Sequence, residues 1–266
     1  MDEYMQEVYY KPFGEINVTY RGLLFFEGKF QEYIATRVKH KFADTDWVKG
    51  LAEEAEKGLM DTGFTAENLI DIFTSREVEN SWRIGEYLAE SVLEDRRGAK
   101  FYYNHSRDAK NPMGNDTGAD LVGICDVDGE TVFLFGEVKT SSDKRRPPNV
   151  VYGKTGMIYQ LETLRDKEEK RNDLVKWIWG KATMIKGEFK QRCIAALHNY
   201  HQSKREKVKL VGVLVRDTEV SEKDLQTRAK TINKNIPNEM DIELIGIYSG
   251  YKMDNNNWIN ALNRSD

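Results

Sequence analysis

The feature that most constrains the fold is an Asp-Gly pair, Asp128-Gly129, which separates two apolar segments at 119–127 and 131–138. Such a pair between strand-like segments is the strongest short-range signal for a β-hairpin closed by a type I′ turn. Segments that are apolar on both faces are typical of strands covered on each side. The sequence therefore predicts two adjacent antiparallel strands in the interior of a covered sheet.

Helical and strand patterns alternate on both sides of this hairpin. A capping box at 74–77 predicts the start of a helix that runs to about Asp95, and residues 101–103 read as a short aromatic strand. After the hairpin come three helices, a strand, a helix and a last strand, at about 154–166, 170–182, 186–204, 209–215, 219–234 and 242–248. We therefore expect an α/β or α+β fold with a mixed central sheet flanked by helices.

The first 75 residues differ from the rest of the chain. Strand-like alternation at 16–20 precedes helical patterns at 30–42 and 46–59. We expect residues 1–75 to form a mixed, mostly helical region appended to a domain at 76–266. The helices of this region carry apolar residues that are candidates for docking a partner protein, namely Trp47, Val48, Leu51 and Leu59. The alternative is that the region only packs against the core.

Charge and cysteine content exclude several classes of protein. The 40 Lys and Arg residues against 44 Asp and Glu give a net charge of −4, so contact with nucleic acid requires a local basic patch. Cys125 and Cys193 form no CxxC pair, which excludes a thiolate zinc site and a disulfide framework. Apolar runs are far shorter than the ~20 residues of a membrane helix, and the acidic N-terminus is unlike a secretory signal. We expect a cytoplasmic protein without membrane contact.

Three charged residues interrupt the apolar hairpin at its open end. Counting back along both strands from the two-residue turn places Asp120 opposite Glu137, with Cα atoms roughly 4.5–5.5 Å apart. Lys139 lies two residues beyond Glu137 and therefore points to the same face of the sheet. Two carboxylates and an ammonium group are thus predicted to converge.

This combination of charges points to metal-dependent chemistry. Adjacent carboxylates repel each other unless a cation lies between them. Mg²⁺ would remove that repulsion, because it binds one or two carboxylates together with waters and phosphate oxygens. A lysine beside it can hold or help deprotonate a water and stabilise negative charge that develops on a phosphate. Asp120, Glu137 and Lys139 therefore predict a phosphodiester hydrolysis site. The alternative is an ion-paired ladder at the rim of the sheet.

The order of a helix with a glutamate, then Gly-x-Asp, then Glu-x-Lys resembles the PD-(D/E)XK nuclease superfamily. Asp120 matches the first acid of that motif, and Glu137 and Lys139 match the second acid and the lysine. Gly118-Ala119 stands where the motif has its proline, a loss that the superfamily tolerates. The resemblance covers about residues 80–165 and implies a restriction-endonuclease-like fold.

The resemblance also implies roles for further residues. In this superfamily Mg²⁺, or alternatively Mn²⁺, would be bound by Asp120, Glu137 and the carbonyl of Val138. A glutamate on the preceding helix lies near the metal, and Glu86 fits best, although Glu90 and Glu94 follow at helical spacing and all three could form a solvated acidic stripe. Many such nucleases carry a glutamine on the helix after the motif, which Gln160 matches; a surface residue is the alternative.

Three segments resemble a narrower family, the nuclease subunit of Hachiman antiphage defence systems. They are Gly-Glu-x-Leu at 85–88, Gly-Ala-Asp-Leu-Val-Gly at 118–123 and Phe-Gly-Glu-Val-Lys-Thr at 135–140. That resemblance implies a partner helicase. The chain carries no Gly-x-x-x-x-Gly-Lys-Ser/Thr motif, so an ATP-driven motor would have to be supplied by another chain.

A basic cluster follows the Glu-x-Lys strand. Lys144, Arg145 and Arg146 lie directly before Pro147-Pro148, and we expect them on a loop that contacts backbone phosphates. Arg107 could do the same, or it could pair with Asp108. The sequence as a whole predicts a Mg²⁺-dependent DNA endonuclease of a bacterial defence system. The competing interpretation is a catalytically silent nuclease fold that serves as a nucleic-acid-binding or scaffolding subunit.

Overall fold

A computed structural model describes residues 3–13, 18–58, 81–103, 118–184, 187–252 and 254–262. The strands are β1 Met5–Phe13, β2 Val18–Phe25, β3 Leu121–Val127, β4 Glu130–Ser141, β5 Val208–Arg216 and β6 Asp241–Tyr248. Helix α1 comprises Lys29–Tyr33, a π-helical turn at Ile34–Val38, and Lys39–Phe42. The other helices are α2 Thr45–Gly58, α3 Ser81–Arg97, α4 Met157–Asp166, α5 Glu168–Met184, α6 Glu188–Gln202, α7 Gln226–Ile232 and α8 Asn255–Leu262.

The strands form one mixed sheet in the order β1-β2-β6-β5-β4-β3. The four inner strands β2, β6, β5 and β4 are parallel, and β1 and β3 pair antiparallel at the two edges. Helices flank this sheet, so the expected α/β class with a mixed central sheet is confirmed. The hairpin of β3 and β4 therefore lies at one side of the sheet, with β3 at the edge.

Apolar side chains pack on both faces of the sheet. One face packs against α4 to α7 and the other against α1, α3 and α8. Along β4, Phe133 and Phe135 face the first of these layers, whereas Leu134 and Val138 face the second. Because side chains alternate along a strand, Glu137 and Lys139 face the same side as Phe135. Every residue of β5 is buried, as expected for an inner parallel strand.

The N-terminal strands correct one expectation. β1 and β2 are not appended to the fold, because β2 pairs with β6 from Val18 to Leu24 and β1 pairs with β2. β1 was not predicted because it is an edge strand, where polar side chains and Pro12 are tolerated. In α2, Val48 is buried, whereas Trp47 is 42% exposed. Leu59 and the expected boundary at residue 75 lie outside the described residues.

Other elements differ in detail from the sequence prediction. Residues 101–103 do not form a strand; in the described segment 98–103, Lys100 forms a single bridge with β3, at Ile124. The helix expected at 219–234 is shorter, with a 3₁₀ turn at Glu222–Asp224 before α7. The capping box at 74–77 lies outside the described residues. In the part of the chain that the structure describes, no helix is long and apolar enough to span a bilayer.

Candidate functional site

The turn between β3 and β4 has the geometry that its sequence predicts. Asp128 and Gly129 both have positive φ, 51° and 81°, as a type I′ turn requires. The strands pair in register from Val127–Glu130 to Leu121–Gly136. The predicted strand register is therefore confirmed. Asp120 stands directly before β3, and the same register places it opposite Glu137.

Asp120, Glu137 and Lys139 converge at the open end of the hairpin. The ammonium Nζ of Lys139 lies 2.5 Å from Oε1 of Glu137 and 4.0 Å from Oδ2 of Asp120. Glu137 is only 6% exposed, so it lies within the packed end of the sheet. This burial argues against an ion-paired ladder on the exposed rim at Glu137, although the Glu137–Lys139 ion pair itself is what that alternative predicts.

The backbone of Val138 belongs to the same arrangement. Its N–H donates a hydrogen bond of 2.8 Å to Oδ2 of Asp120. In a β-strand the N–H and C=O of one residue point to the same side, so the Val138 carbonyl also points towards Asp120. The Asp120 side chain thereby extends the pairing of β3 and β4 beyond the last strand residue. Two carboxylates and one main-chain carbonyl are thus directed to one end of the hairpin.

Lys139 is held in its charged form. Burial alone would lower the pKa of its ammonium group, but the carboxylates of Glu137, Asp120 and Glu86 outweigh burial and raise it above its ordinary value. At neutral pH Lys139 is therefore protonated. In this arrangement its ammonium group donates a hydrogen bond to Oε1 of Glu137.

Glu86 reaches this site because α3 packs closely on β4. A Cβ atom at Gly85 would lie 2.5 Å from Cγ2 of Thr140, so only glycine permits this contact. Glu86 follows directly and is half-buried, and its charge contributes to the raised pKa of Lys139. The structure therefore brings the helix glutamate into electrostatic range of the lysine.

Glu90 and Glu94 belong to a different cluster. Nζ of Lys41 on α1 lies 3.1 Å from Oε2 of Glu90 and 2.8 Å from Oε1 of Glu94. Glu90 is only 1% exposed, so the interpretation of a solvated acidic stripe is wrong at this position. Burial, partly opposed by Lys41, raises the pKa of Glu94. The ion pairs of Lys41 with Glu90 and Glu94 therefore join α1 to α3.

Gln160 is near the site but is not bonded to it. The helix that carries it, α4, begins over β5, where Met157 and Leu161 contact Gly212. Gly212 is the β5 partner of Glu137. Among the described residues, the hydrogen bond of the Gln160 amide is a long one, 3.5 Å, from Nε2 to the carbonyl of Lys154.

The basic cluster lies on the exposed loop after β4. Arg145 pairs with Asp143 at 3.0 Å, and Arg146 approaches Glu219 at 3.5 Å. Lys144 is exposed and forms no ion pair with any residue that the structure describes. Arg107 lies outside the described residues, so its expected phosphate contact has no structural counterpart here.

Sequence reasoning missed the residue that holds this loop. Arg216, at the end of β5, is fully buried and pairs with the equally buried Asp224 at 3.3 Å. Its guanidinium also donates to the carbonyls of Ser141, at 2.9 Å, and Arg145, at 3.3 Å. The sequence signal for it is an arginine directly after the apolar run 210–215. Its bonds fix both ends of the segment that carries Lys144.

The donor set at the hairpin end suits a hard cation. Within the described residues, no three His, Cys, Asp or Glu side chains are grouped to enclose a metal. Mg²⁺ does not need such a cage, since it keeps several waters and binds through one or two carboxylates and substrate phosphates. Asp120, Glu137 and the Val138 carbonyl supply oxygen ligands of that kind, so the residues fit Mg²⁺, and Mn²⁺ by the same ligand chemistry.

Comparison with known proteins adds no assignment to this geometry. The sequence matches no protein-family model and no curated protein.

Proposed function

We propose that the chain is a Mg²⁺-dependent DNA endonuclease of the PD-(D/E)XK type, which hydrolyses phosphodiester bonds. The observation that carries the proposal is the convergence of Asp120, Glu137 and Lys139 at one hairpin end, with the distances given above. A buried Glu137 beside the half-buried Asp120 and Lys139 is costly for folding, and such groups cluster at functional sites. The motif order in the sequence supports the same conclusion.

Each residue has a definite part in the proposed reaction. Asp120, Glu137 and the Val138 carbonyl would hold the metal, and the chemistry it would supply there is Lewis-acid activation of the phosphate and of a water. Lys139 donates hydrogen bonds from its ammonium group and stabilises negative charge that develops on the phosphate. Glu86 adds negative charge on the side of α3. Lys144, Arg145 and Arg146 contact phosphates along the strand without reading its sequence.

The narrower proposal is an effector of an antiphage defence system that acts with a partner helicase. It is supported by the three motif segments at 85–88, 118–123 and 135–140. A net charge of −4 gives no long-range attraction to DNA, so delivery of the strand by another protein fits the composition. A helicase that co-purifies in fixed stoichiometry from the native host supports this part, and purification of the chain alone opposes it.

The central experiment compares two double variants in a plasmid assay with Mg²⁺ or Mn²⁺. Glu137→Ala with Lys139→Ala should lower cleavage by at least about 10²–10³-fold, because it removes a metal ligand and the ammonium group. Chelation with EDTA should stop the wild-type reaction. The fold should persist, as judged by circular dichroism and cooperative unfolding.

The matched control is Glu130→Ala with Lys207→Ala. This pair is also an acid and a lysine joined by an ion pair, but it lies at the turn end of the hairpin, far along β4 from the site. The control should cut at the wild-type rate. Wild-type cleavage by the Glu137/Lys139 variant would show that the site lies elsewhere. A wild-type chain that binds DNA without cutting it would favour the silent scaffolding subunit.

A further inference from the structure

The edge strand β3 has backbone groups that face away from β4. At Ile124 these groups pair with Lys100: the two N–H···O bonds measure 2.8 and 3.1 Å. Backbone groups on one side of a strand recur every second residue, so those of Val122 and Asp120 point the same way. Buried backbone groups of this kind require partners. Residues 101–103, the described part of the chain that follows Lys100, form no strand that could provide them.

The hydroxyl of Tyr103 replaces the missing strand. It donates a hydrogen bond of 3.0 Å to the carbonyl of Asp120 and accepts one of 3.3 Å from the N–H of Val122. The ring is 8% exposed and packs edge-on against Trp177, with centroids 5.1 Å apart. A fixed ring thus binds the backbone on both sides of Leu121.

One of these hydrogen bonds holds the main chain of Asp120, a residue of the candidate site. The Asp120 carbonyl is held by Tyr103, while its carboxylate holds the N–H of Val138 on the neighbouring strand. We propose that Tyr103 is a positioning residue, which sets the orientation of the Asp120 carboxylate towards the metal through the Asp120 main chain. This inference rests on the proposed function and adds a residue to it.

The surroundings of the Tyr103 hydroxyl include a carboxylate of α3. The Glu90 carboxylate of α3 is a second hydrogen-bond acceptor within reach of the same hydroxyl. Glu90 is itself paired with Lys41 of α1. The environment of the hydroxyl is thus determined by α3 and α1 as well as by the edge of the sheet.

The test is Tyr103→Phe, which removes the hydroxyl and keeps the ring. The matched control is Tyr102→Phe, because Tyr102 is the chain neighbour, stacks on Phe189 at 3.6 Å and makes no hydroxyl hydrogen bond within the described part of the chain. The first readout needs neither metal nor substrate. The Val138 amide should exchange with solvent at least about 5-fold faster in Tyr103→Phe by NMR, whereas the amides of β5 should be unchanged.

The second readout is the metal itself. Tyr103→Phe should weaken Mn²⁺ binding to the protein, followed by calorimetry, by about 10-fold or more, the range found when supporting partners of ligands are removed. In the cleavage assay, kcat should fall and the Mg²⁺ requirement should rise, while KM for DNA should stay unchanged. Tyr102→Phe should match the wild type in every measurement.

The outcomes separate this inference from the proposed function. If Tyr103→Phe matches Tyr102→Phe in Val138 exchange and in Mn²⁺ affinity, Tyr103 does not position Asp120. Uniformly faster exchange in all strands would mean that the hydroxyl only stabilises the fold, which also overturns the inference. A wild-type chain that binds Mn²⁺ but does not cut would refute the nuclease proposal, and the exchange and binding results would still decide the role of Tyr103. A wild-type chain that neither binds nor cuts overturns both.

Discussion

Asp120 has two separable tasks at the level of single atoms. Its Oδ2 atom accepts the Val138 N–H, which is a structural bond, and its negative charge is what a metal would require. A neutral amide can perform the first task and not the second, because an amide oxygen accepts a hydrogen bond without carrying a charge. Substitutions at this position can therefore distinguish structure from chemistry.

We expect Asp120→Asn and Asp120→Ala to be equally inactive but unequally stable. Both remove the charged ligand, so cleavage should fall by at least about 10²-fold. Asp120→Ala also leaves the Val138 N–H without its acceptor, which should cost about 1–3 kcal/mol of unfolding free energy, whereas Asp120→Asn should remain near the wild type. Urea denaturation measures the difference. Equal losses of stability would contradict the structural role of the hydrogen bond.

The geometry of Asp120 and Glu137 could be predicted because a two-residue turn and a period of two fix every cross-strand pair. The contacts of Gln160 and Tyr103 could not. Gln160 depends on how far α4 reaches over β5, and Tyr103 depends on a segment that is not a strand. Neither property leaves a pattern in the sequence around the residue.

At the level of elements, the packing of α3 on β4 brings Glu86 to the site. The contact depends on the absence of a side chain at Gly85, above the Cγ2 atom of Thr140. Glycine within a helix is otherwise unfavourable by about 1 kcal/mol relative to alanine. Its presence here therefore reflects close packing against the sheet.

Gly85→Ala should destabilise the protein despite the better helix propensity of alanine. The added Cβ would lie 2.5 Å from Thr140 Cγ2, and such overpacking costs about 1–3 kcal/mol. The control is Gly180→Ala in α5, where no described atom beyond the adjacent residues and the helix backbone lies within 4 Å of the added Cβ, and it should be neutral or stabilising. Adding Thr140→Ser, which removes Cγ2, should restore much of the loss. Failure of this rescue in thermal unfolding would contradict the packing argument.

The elements that the sequence predicted well are those with a covered apolar face. The strands β5 and β6 and the helices α4 to α6 were placed within a few residues, because burial on one or both faces imposes a clear periodicity. β1 carries Gln6, Glu7 and Lys11 at the edge of the sheet, and its pattern is obscured by the exposed side. The sequence analysis missed β1 because it lies at the edge of the sheet, and only the tertiary structure determines which strand is at the edge.

At the scale of the whole molecule, a buried carboxylate joins distant parts of the chain. Glu243 on β6 pairs with Arg21 of β2 at 2.6 Å, with Arg97 of α3 at 2.6 Å and with Lys209 of β5 at 3.1 Å. These partners are far apart in sequence, so no local sequence pattern predicts the cluster. It joins β2 and α3 to the inner sheet, and adds to the strand pairing that makes β1 and β2 integral to the fold.

The cluster predicts a specific dependence of stability on acid. Burial would raise the pKa of Glu243, but Arg97, Lys209 and Arg21 outweigh it and lower the pKa from 4.5 to about 2. A carboxyl group whose pKa is lowered by folding stabilises the folded state above its unfolded pKa, and this contribution is lost as pH falls towards the folded pKa. The loss should therefore occur between pH 4.5 and about pH 2.

Glu243→Gln mimics the protonated side chain and tests this window. At neutral pH the variant should be less stable than the wild type by about 3–5 kcal/mol, because the buried Lys209 and the half-buried Arg21 and Arg97 lose this carboxylate. As pH falls below 4.5 the difference should shrink, since the wild type itself loses the contribution of Glu243. The control is Glu239→Gln, which removes an exposed partner of Lys207 and should keep the wild-type profile. Urea denaturation over a pH series measures both, and a difference that stays constant into acid would refute the role of the cluster.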